Sequence, residues 1–232
     1  MTAQSHPDNI EAVLFDVNET LSDLSSMAQR FTKIGAPEEW SRLWFASVLR
    51  DGFALTVTGV NPAFSEVAAG VLRTMLGELD THADTDAASD RAVATVMQGF
   101  SELPVHSDVP AGVRELRLRG LRLNTLSNGA LSVAEDLLSR AGLREDFEQV
   151  LSVSDAPAWK PHPAAYAYGA QALGLPRSAV LLIAVHPWDI DGAARAGLRT
   201  GWLNRGGRRY PTHFRPPDHS ATSLPGLAAA LG

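Results

Sequence analysis

Asp16, Ser127, Lys160 and Asp189 are the residues of this chain whose types and positions could do chemistry together. Asp16 follows the apolar run Ala12, Val13, Leu14 and Phe15, Ser127 ends a strand-like stretch beginning at Leu123, and Asp189 comes just after the apolar run that closes at Val185. Lys160 stands ahead of a helix started by Pro163. A carboxylate at the C-terminal end of a buried strand is where open parallel sheets carry their active sites. It becomes an oxygen nucleophile when backbone N–H groups and a cation restrain it without hiding it from substrate, and Lys160 would be that cation. Ser127 and Asn128 could hold substrate or carboxylate oxygens, and Thr20 could hydrogen-bond the Asp16 side of its loop. Each residue also has a plainer use: Asp16 or Thr20 in a turn, Ser127 as a helix cap, Lys160 in an exposed loop.

Placing these residues together requires a particular set of elements. Residues 11–15, 121–126, 150–153, 180–185 and 199–203 read as strands. Between the later ones, 131–141, 163–173 and 190–196 read as helices stopped by Gly142, Gly174 and Gly197, each suited to a left-handed terminator. This alternation implies right-handed parallel crossovers and a doubly wound sheet. The text between Thr20 and Val105 is different. Residues 24–34 read as a helix, and a second begins at Pro37, carries Trp40, Leu43, Trp44, Val48 and Leu49, and ends at Asp51 and Gly52. Phe64, Val67, Ala68, Val71, Leu72, Met75 and Leu79 form one helical stripe, and 87–100 reads as a further helix. The expected architecture is therefore α/β, with a Rossmann-like core of residues 9–21 and 105–222, an inserted all-helical cap of residues 22–104, and residues 219–232 as a last helix packed on the core.

Composition permits this arrangement without requiring it. A chain of 232 residues with 45% hydrophobic content can bury a substantial core. No apolar run approaches the roughly 18 residues of a membrane span, and residues 1–9 have neither a basic start nor an apolar centre, so the cytoplasm is the expected location. With no Cys, disulfides, cysteine nucleophiles and thiolate metal sites are excluded. A formal charge of -6 argues against nucleic acid as a partner. The basic run Arg205, Gly206, Gly207, Arg208 and Arg209 is the local exception and reads as a solvated surface loop.

Asp, Ser, Lys and Asp near strand ends, in that chain order, resemble the haloacid dehalogenase-like superfamily of hydrolases over nearly the whole chain. Phosphatases of that superfamily carry a second Asp two residues after the nucleophile, as general acid and base, and this chain has Asn18 there. An amide cannot exchange a proton usefully at neutral pH, whereas halide leaves as a stable anion and needs none. The 2-haloacid dehalogenase branch also places a Tyr six residues after the Lys, matched by Tyr166, and a helical cap directly after the first motif. Its strand-end motif, Ser-Ser-Asn with a following aromatic and Asp, is met here by Ala184, Val185, His186, Trp188 and Asp189. The aromatic and the Asp are kept, while Ala184 and His186 replace Ser and Asn, which bears on water positioning and substrate range. The branch draws a cap Arg to the substrate carboxylate; Arg42 and Arg50 are the local candidates, Arg42 requiring a shift of two positions.

The resemblance implies hydrolysis of a small 2-haloacid with Asp16, Lys160, Asp189 and Ser127 as catalytic residues, and Asn18, Thr20, Arg42, Asn128, Tyr166, His186 and Trp188 around the substrate. Asp16 would displace halide and form an ester, which water oriented or deprotonated by Asp189 would hydrolyse; His186 could assist, since imidazole titrates near neutrality. No metal or cofactor is implied, nor any partner beyond the substrate, with a homodimer left open. Tyr166 as a core residue and His186 as a structural histidine are the alternatives at those positions. Two other functions fit the same scaffold: a magnesium-dependent phosphatase using Asp16, Asp189 and Asp191, and a silent ligand-binding protein.

Overall fold

The computed structural model describes residues 10–78 and 86–231. Leu79, the last member of the expected stripe, lies outside the described residues. Strand β1 (Ala12–Phe15) is followed by four helices, α1 (Met27–Lys33), α2 (Trp40–Val57), α3 (Phe64–Leu76) and α4 (Asp86–Ser101). The remainder alternates: α5 (Val109–Leu118), β2 (Arg122–Ser127), α6 (Leu131–Arg140), β3 (Gln149–Ser152), α7 (Pro163–Leu173), β4 (Val180–Ala184), α8 (Pro187–Ala196), β5 (Arg199–Leu203), β6 (His219–Ala221) and α9 (Leu224–Ala229). The six strands form one parallel sheet in the order β3-β2-β1-β4-β5-β6.

The two central strands explain why the sheet is covered on both sides. Every residue of β1 and β4 is buried, so neither has a polar face to offer water. One face, through Leu14 and Leu182, packs on α7, α8 and the aromatic residues of α2 to α4. The other, through Val13, Phe15 and Leu181, packs on α5, α6 and α9. Gly142, Gly174 and Gly197 hold φ values of +67°, +67° and +91° after α6, α7 and α8, the conformation that glycine adopts without steric cost.

Three expectations are corrected. Helix α2 does not end at Asp51 and Gly52 but continues to Val57. Gly52 is there for close approach: a Cβ would lie 2.1 Å from a ring carbon of Trp159. The last segment is not one helix. Residues His219–Ala221 pair with β5 as the sixth strand, and α9 starts only where Ser223 Oγ accepts from the Gly226 N–H. Arg205 is not a solvated loop charge, since it pairs with Asp108 at 2.9 Å and donates to the Thr20 carbonyl at 2.9 Å; only Gly206 to Arg209 of that run are exposed. Helix α5 is additional to the expected elements. Its first turn carries Pro110, and it buries Val109, Val113 and Leu116.

The chain leaves and rejoins the sheet region at one place. Ser22 forms an antiparallel bridge with Val105, the Asp23 N–H donates to Pro104 O at 2.8 Å, and the His106 N–H donates to Leu21 O at 2.9 Å. Among the described residues no helix is long and apolar enough to cross a membrane.

Candidate active site

Strand β1 is followed to one side by β2 and to the other by β4, so the C-terminal ends of β1 and β4 border the crevice where the strand order reverses. Asp16 leaves β1 there, and Asp189 sits in the first turn of α8 just beyond β4. Between them lies Lys160, completely buried, its Nζ donating to Asp16 Oδ1 at 2.9 Å and to Asp189 Oδ2 at 2.7 Å. Burial opposes the Lys160 ammonium, but the charges of Asp16 and Asp189 outweigh it and hold the group above its ordinary value. Burial, with the charge of Asp16 adding to it, raises Asp189 above the usual carboxylate range. Two carboxylates share one ammonium out of contact with water, so a proton on Asp189 relieves part of their repulsion.

The remaining residues are arranged around this triad. Thr20 Oγ1 donates to Asp16 Oδ2 at 2.6 Å, and the same oxygen accepts from the Val185 N–H at 3.1 Å, joining the loop after β1 to the end of β4. Tyr166 is not simply a core residue. Its hydroxyl, fully buried, donates to Asp189 Oδ1 at 2.7 Å, and burial followed by the Asp189 charge pushes it well above its ordinary value, so it remains a neutral donor. Room for that hydroxyl comes from Gly192, where a Cβ would stand 2.5 Å from it. Buried in this way, Tyr166 faces Asp189 rather than open space.

Asn128 also has a different task from the one expected. Its Oδ1 accepts from the Lys160 N–H at 2.9 Å and its Nδ2 donates to Lys160 O at 3.0 Å, so both amide atoms grip the backbone that carries the lysine. Ser127 does not cap α6, whose N-cap is Ala130; its Oγ accepts from the Gly129 N–H at 2.8 Å, which leaves its own hydrogen available to donate. Asn18 is nearly buried, with its amide in the space left by Gly129. Asp191 is turned away, paired with Arg195 at 2.7 Å and accepting from the Arg215 N–H at 3.0 Å. Among the described residues no group of three His, Asp or Glu has a metal-binding arrangement.

Above the carboxylates the wall is aromatic. His186 stacks on Trp188 with centroids 5.0 Å apart and on Phe45 of α2 at 6.3 Å, and Trp188 meets Phe53 at 5.0 Å. Phe45, Phe64, Phe100 and Trp159 continue the cluster. Trp159 is fixed by a hydrogen bond from Nε1 to Pro62 O at 3.0 Å, and Asn61 donates to Val153 O and Ala156 O, so the α2–α3 connection is bonded to the loop before Lys160. The structure does not bring the arginines to the carboxylates. Arg42 is exposed, with no side-chain partner among the described residues, and Arg50 is exposed and paired with Asp51.

Sequence reasoning passed over Glu19, took Arg205 for a surface charge and read Phe45 as cap core or pocket lining. Phe45 carried a signal, since it lies beside Trp44 in an aromatic-rich helix, but nothing local shows that it reaches His186. Glu19 sits inside the first motif yet gives no hint in sequence of its φ of +62°.

A doubly wound parallel sheet with an aspartate at the end of its first, central strand, salt-bridged to a buried lysine, defines an α/β protein with a carboxylate site at its strand ends. The chain belongs to the haloacid dehalogenase-like hydrolase family, whose sequence model matches residues 10–197. It is 34% identical over 219 residues to an (S)-2-haloacid dehalogenase of Pseudomonas sp. (strain YL), covering 94% of this chain and 92% of that one. It is 31% identical over 211 residues to haloacetate dehalogenase H-2 of Moraxella sp. (strain B), covering 90% and 92%. Among solved structures, the L-2-haloacid dehalogenase of Xanthobacter autotrophicus with chloropropionic acid covalently bound superposes with a TM-score of 0.84 at 26% identity, over 96% of this chain and 98% of that one.

Proposed function

We propose that this protein is a hydrolytic dehalogenase of small 2-haloacids working through an ester on Asp16. The observation that carries the reading is the pairing of Asp16, held by Lys160 and Thr20, with Asn18 two residues on: a restrained nucleophile without a titratable neighbour at the place a phosphatase needs one. The names of the relatives, and the covalently bound chloropropionic acid in one of them, support it.

An Asp16 oxygen attacks the halogen-bearing carbon in line, the carbon–halogen bond breaks, and halide leaves without needing a proton. Water then attacks Cγ of the ester, with Asp189 receiving its proton; a carboxylate raised by burial is the better base. Lys160 and the Ser127 hydroxyl stabilise the charge that develops on the ester oxygens. Asn128 and Tyr166 act one step back, holding Lys160 and Asp189. Asn18, Trp188 and the aromatic wall shape the space for the alkyl group. Arg42, three residues before Phe45 and so on the same side of α2, is assigned to the substrate carboxylate. Since only the first step occurs at the chiral carbon, the product is the 2-hydroxyacid of inverted configuration.

Residues 9–21 and 105–222 serve as the catalytic core and 22–104 as the cap in this reading, the paired linkers at Ser22 and Val105 marking the boundary. The partner is a small anionic substrate met in the cytoplasm.

The test is Asp16→Asn together with oxygen labelling. Turnover should fall by at least roughly three orders of magnitude with the fold intact. A single turnover of the unaltered protein in heavy-oxygen water should label Asp16 before the product, and label found directly in the hydroxyacid would refute the covalent route.

A further inference from the structure

The second step of this reaction has a requirement that the first does not. When the bond between Asp16 Cγ and the alkyl oxygen breaks, the electron pair stays on oxygen, and an alkoxide, unlike halide, needs a proton to leave. Asn18 cannot give one. Lys160 is held as a cation by two carboxylates, and the Tyr166 hydroxyl is committed to Asp189. Thr20 is hydrogen-bonded to Asp16, but an aliphatic alcohol is no acid near neutrality.

One group at Asp16 remains. His186 Nε2 lies 3.7 Å from Asp16 Oδ2, 3.6 Å from Glu19 Oε2 and 3.2 Å from Asn18 O. Three oxygens converge on one ring nitrogen, and none of them can donate to it when both carboxylates are ionised, so Nε2 carries the hydrogen. The ring is stacked on Trp188 at 5.0 Å and on Phe45 at 6.3 Å, with its side chain 12% exposed, which restrains it at this edge.

Glu19 is held in an unusual way. Among the described residues it is the one non-glycine residue with positive φ, a conformation that a side chain disfavours and that gathers at functional sites. The strained turn is pinned by three contacts: the Glu19 N–H donates to Ser22 Oγ at 3.3 Å, and the carbonyl lies 3.0 Å from His106 Nε2 and 3.5 Å from Arg205. Its effect is to bring a second carboxylate to the His186 edge.

We propose that His186 is the general acid of ester hydrolysis and that Glu19 is its positioning residue, a role that rests on the dehalogenase reading above. Water adds to Cγ and passes its proton to Asp189. The Cγ–O(alkyl) bond then breaks, the departing oxygen takes the Nε2 proton of the imidazolium, and His186 is left neutral. Collapse leaves Asp16 as the free acid; exchange with solvent then takes the protons from Asp16 and Asp189 and recharges His186, a net release of one proton per turnover. The charged and titratable groups around the ring are Asp16 at the end of β1, Glu19 in its loop with His106 and Arg205 behind it, and Lys160 and Asp189 beyond Asp16; α2 contributes the neutral Phe45 ring.

The experiment resolves the two steps by rapid quench with a 2-haloacid in excess, reading halide release and the mass of the intact protein. For the unaltered protein, first-turnover halide release and an adduct on Asp16 are expected; without them the dehalogenase reading fails and this proposal with it, before any variant is compared. In His186→Asn, the halide burst should stay within about threefold, while ester hydrolysis slows by roughly 10²–10⁴ and the adduct accumulates. In Glu19→Gly, which keeps positive φ without strain, and in Glu19→Gln, hydrolysis should slow about tenfold, the expected effect of removing one nearby charge. If His186→Asn does not fold, these two variants carry the test alone. Unchanged hydrolysis, or an equal loss in burst and hydrolysis, would overturn the proposal.

Discussion

Asp189 depends on its neighbours more than any other residue of the cluster, because it is fully buried and each of its oxygens accepts one strong hydrogen bond. Tyr166→Phe removes one of these and leaves Oδ1 unsatisfied, a loss of about 1.5–3 kcal/mol for a bond to a charged group. Activity at neutral pH should fall about tenfold to a hundredfold by the same range. The hydrogen bond from Tyr166 favours the ionised carboxylate, so its removal raises Asp189 further, and the acid limb of the pH–rate profile should move to higher pH. A profile unchanged in shape would show that Asp189 is not the titrating base. Residue types at strand ends made Asp16, Ser127, Lys160 and Asp189 legible in the sequence. What the partners do was not legible, because Asn128 grips a backbone 32 residues away and Tyr166 reaches a carboxylate 23 residues away, and no local pattern encodes such contacts.

Elements were read correctly where a glycine had one role and misread where it had another. Gly142, Gly174 and Gly197 end helices in left-handed conformations, and the alternation they punctuate revealed the parallel sheet. Gly52 was taken as the same signal, yet it lies inside α2 because the Trp159 ring needs its missing side chain. Strand β6 and helix α5 were missed for another reason: three residues at a sheet edge carry too short a pattern, and α5 is amphipathic with charged residues between its buried ones. Two glycines allow a controlled comparison. Gly52→Ala places a methyl 2.1 Å from Trp159 and should destabilise by about 1–3 kcal/mol, with activity falling as the adjoining Lys160 shifts. Gly70→Ala, exposed in the middle of α3 with nothing within 4 Å, should be neutral or stabilising by up to about 1 kcal/mol. Urea midpoints of the two variants provide the check, and equal shifts would show that close packing on Trp159 is not what Gly52 provides.

At the scale of the molecule, the helices of 22–104 and the sheet are joined by apolar packing as well as by two linkers. One buried cluster runs from Leu14 and Leu126 on the sheet through Tyr166 and Trp159 to Phe64, Phe45 and Trp44 in the helices. The aromatic contacts that close the site, Phe45 on His186 and Phe64 on Trp159, belong to that same cluster. Opening the helical part away from the core would expose these rings to water at about 25 cal/mol per Å² of apolar area, so the two parts should stabilise each other. The tryptophans report on this directly: Trp44 lies within the helical part, Trp159 where it meets the core, and Trp202 on β5. Unfolding in urea, followed by tryptophan fluorescence and by far-ultraviolet circular dichroism, should therefore give one coincident transition, despite a sequence in which residues 22–104 read as a separate insertion. Phe64→Ala should lower the single midpoint by the equivalent of about 3–5 kcal/mol without splitting it. An early fluorescence transition with helix and sheet signals still intact would mean that the aromatic cluster is not shared, and that the residues over Asp16 open independently of the fold that carries it.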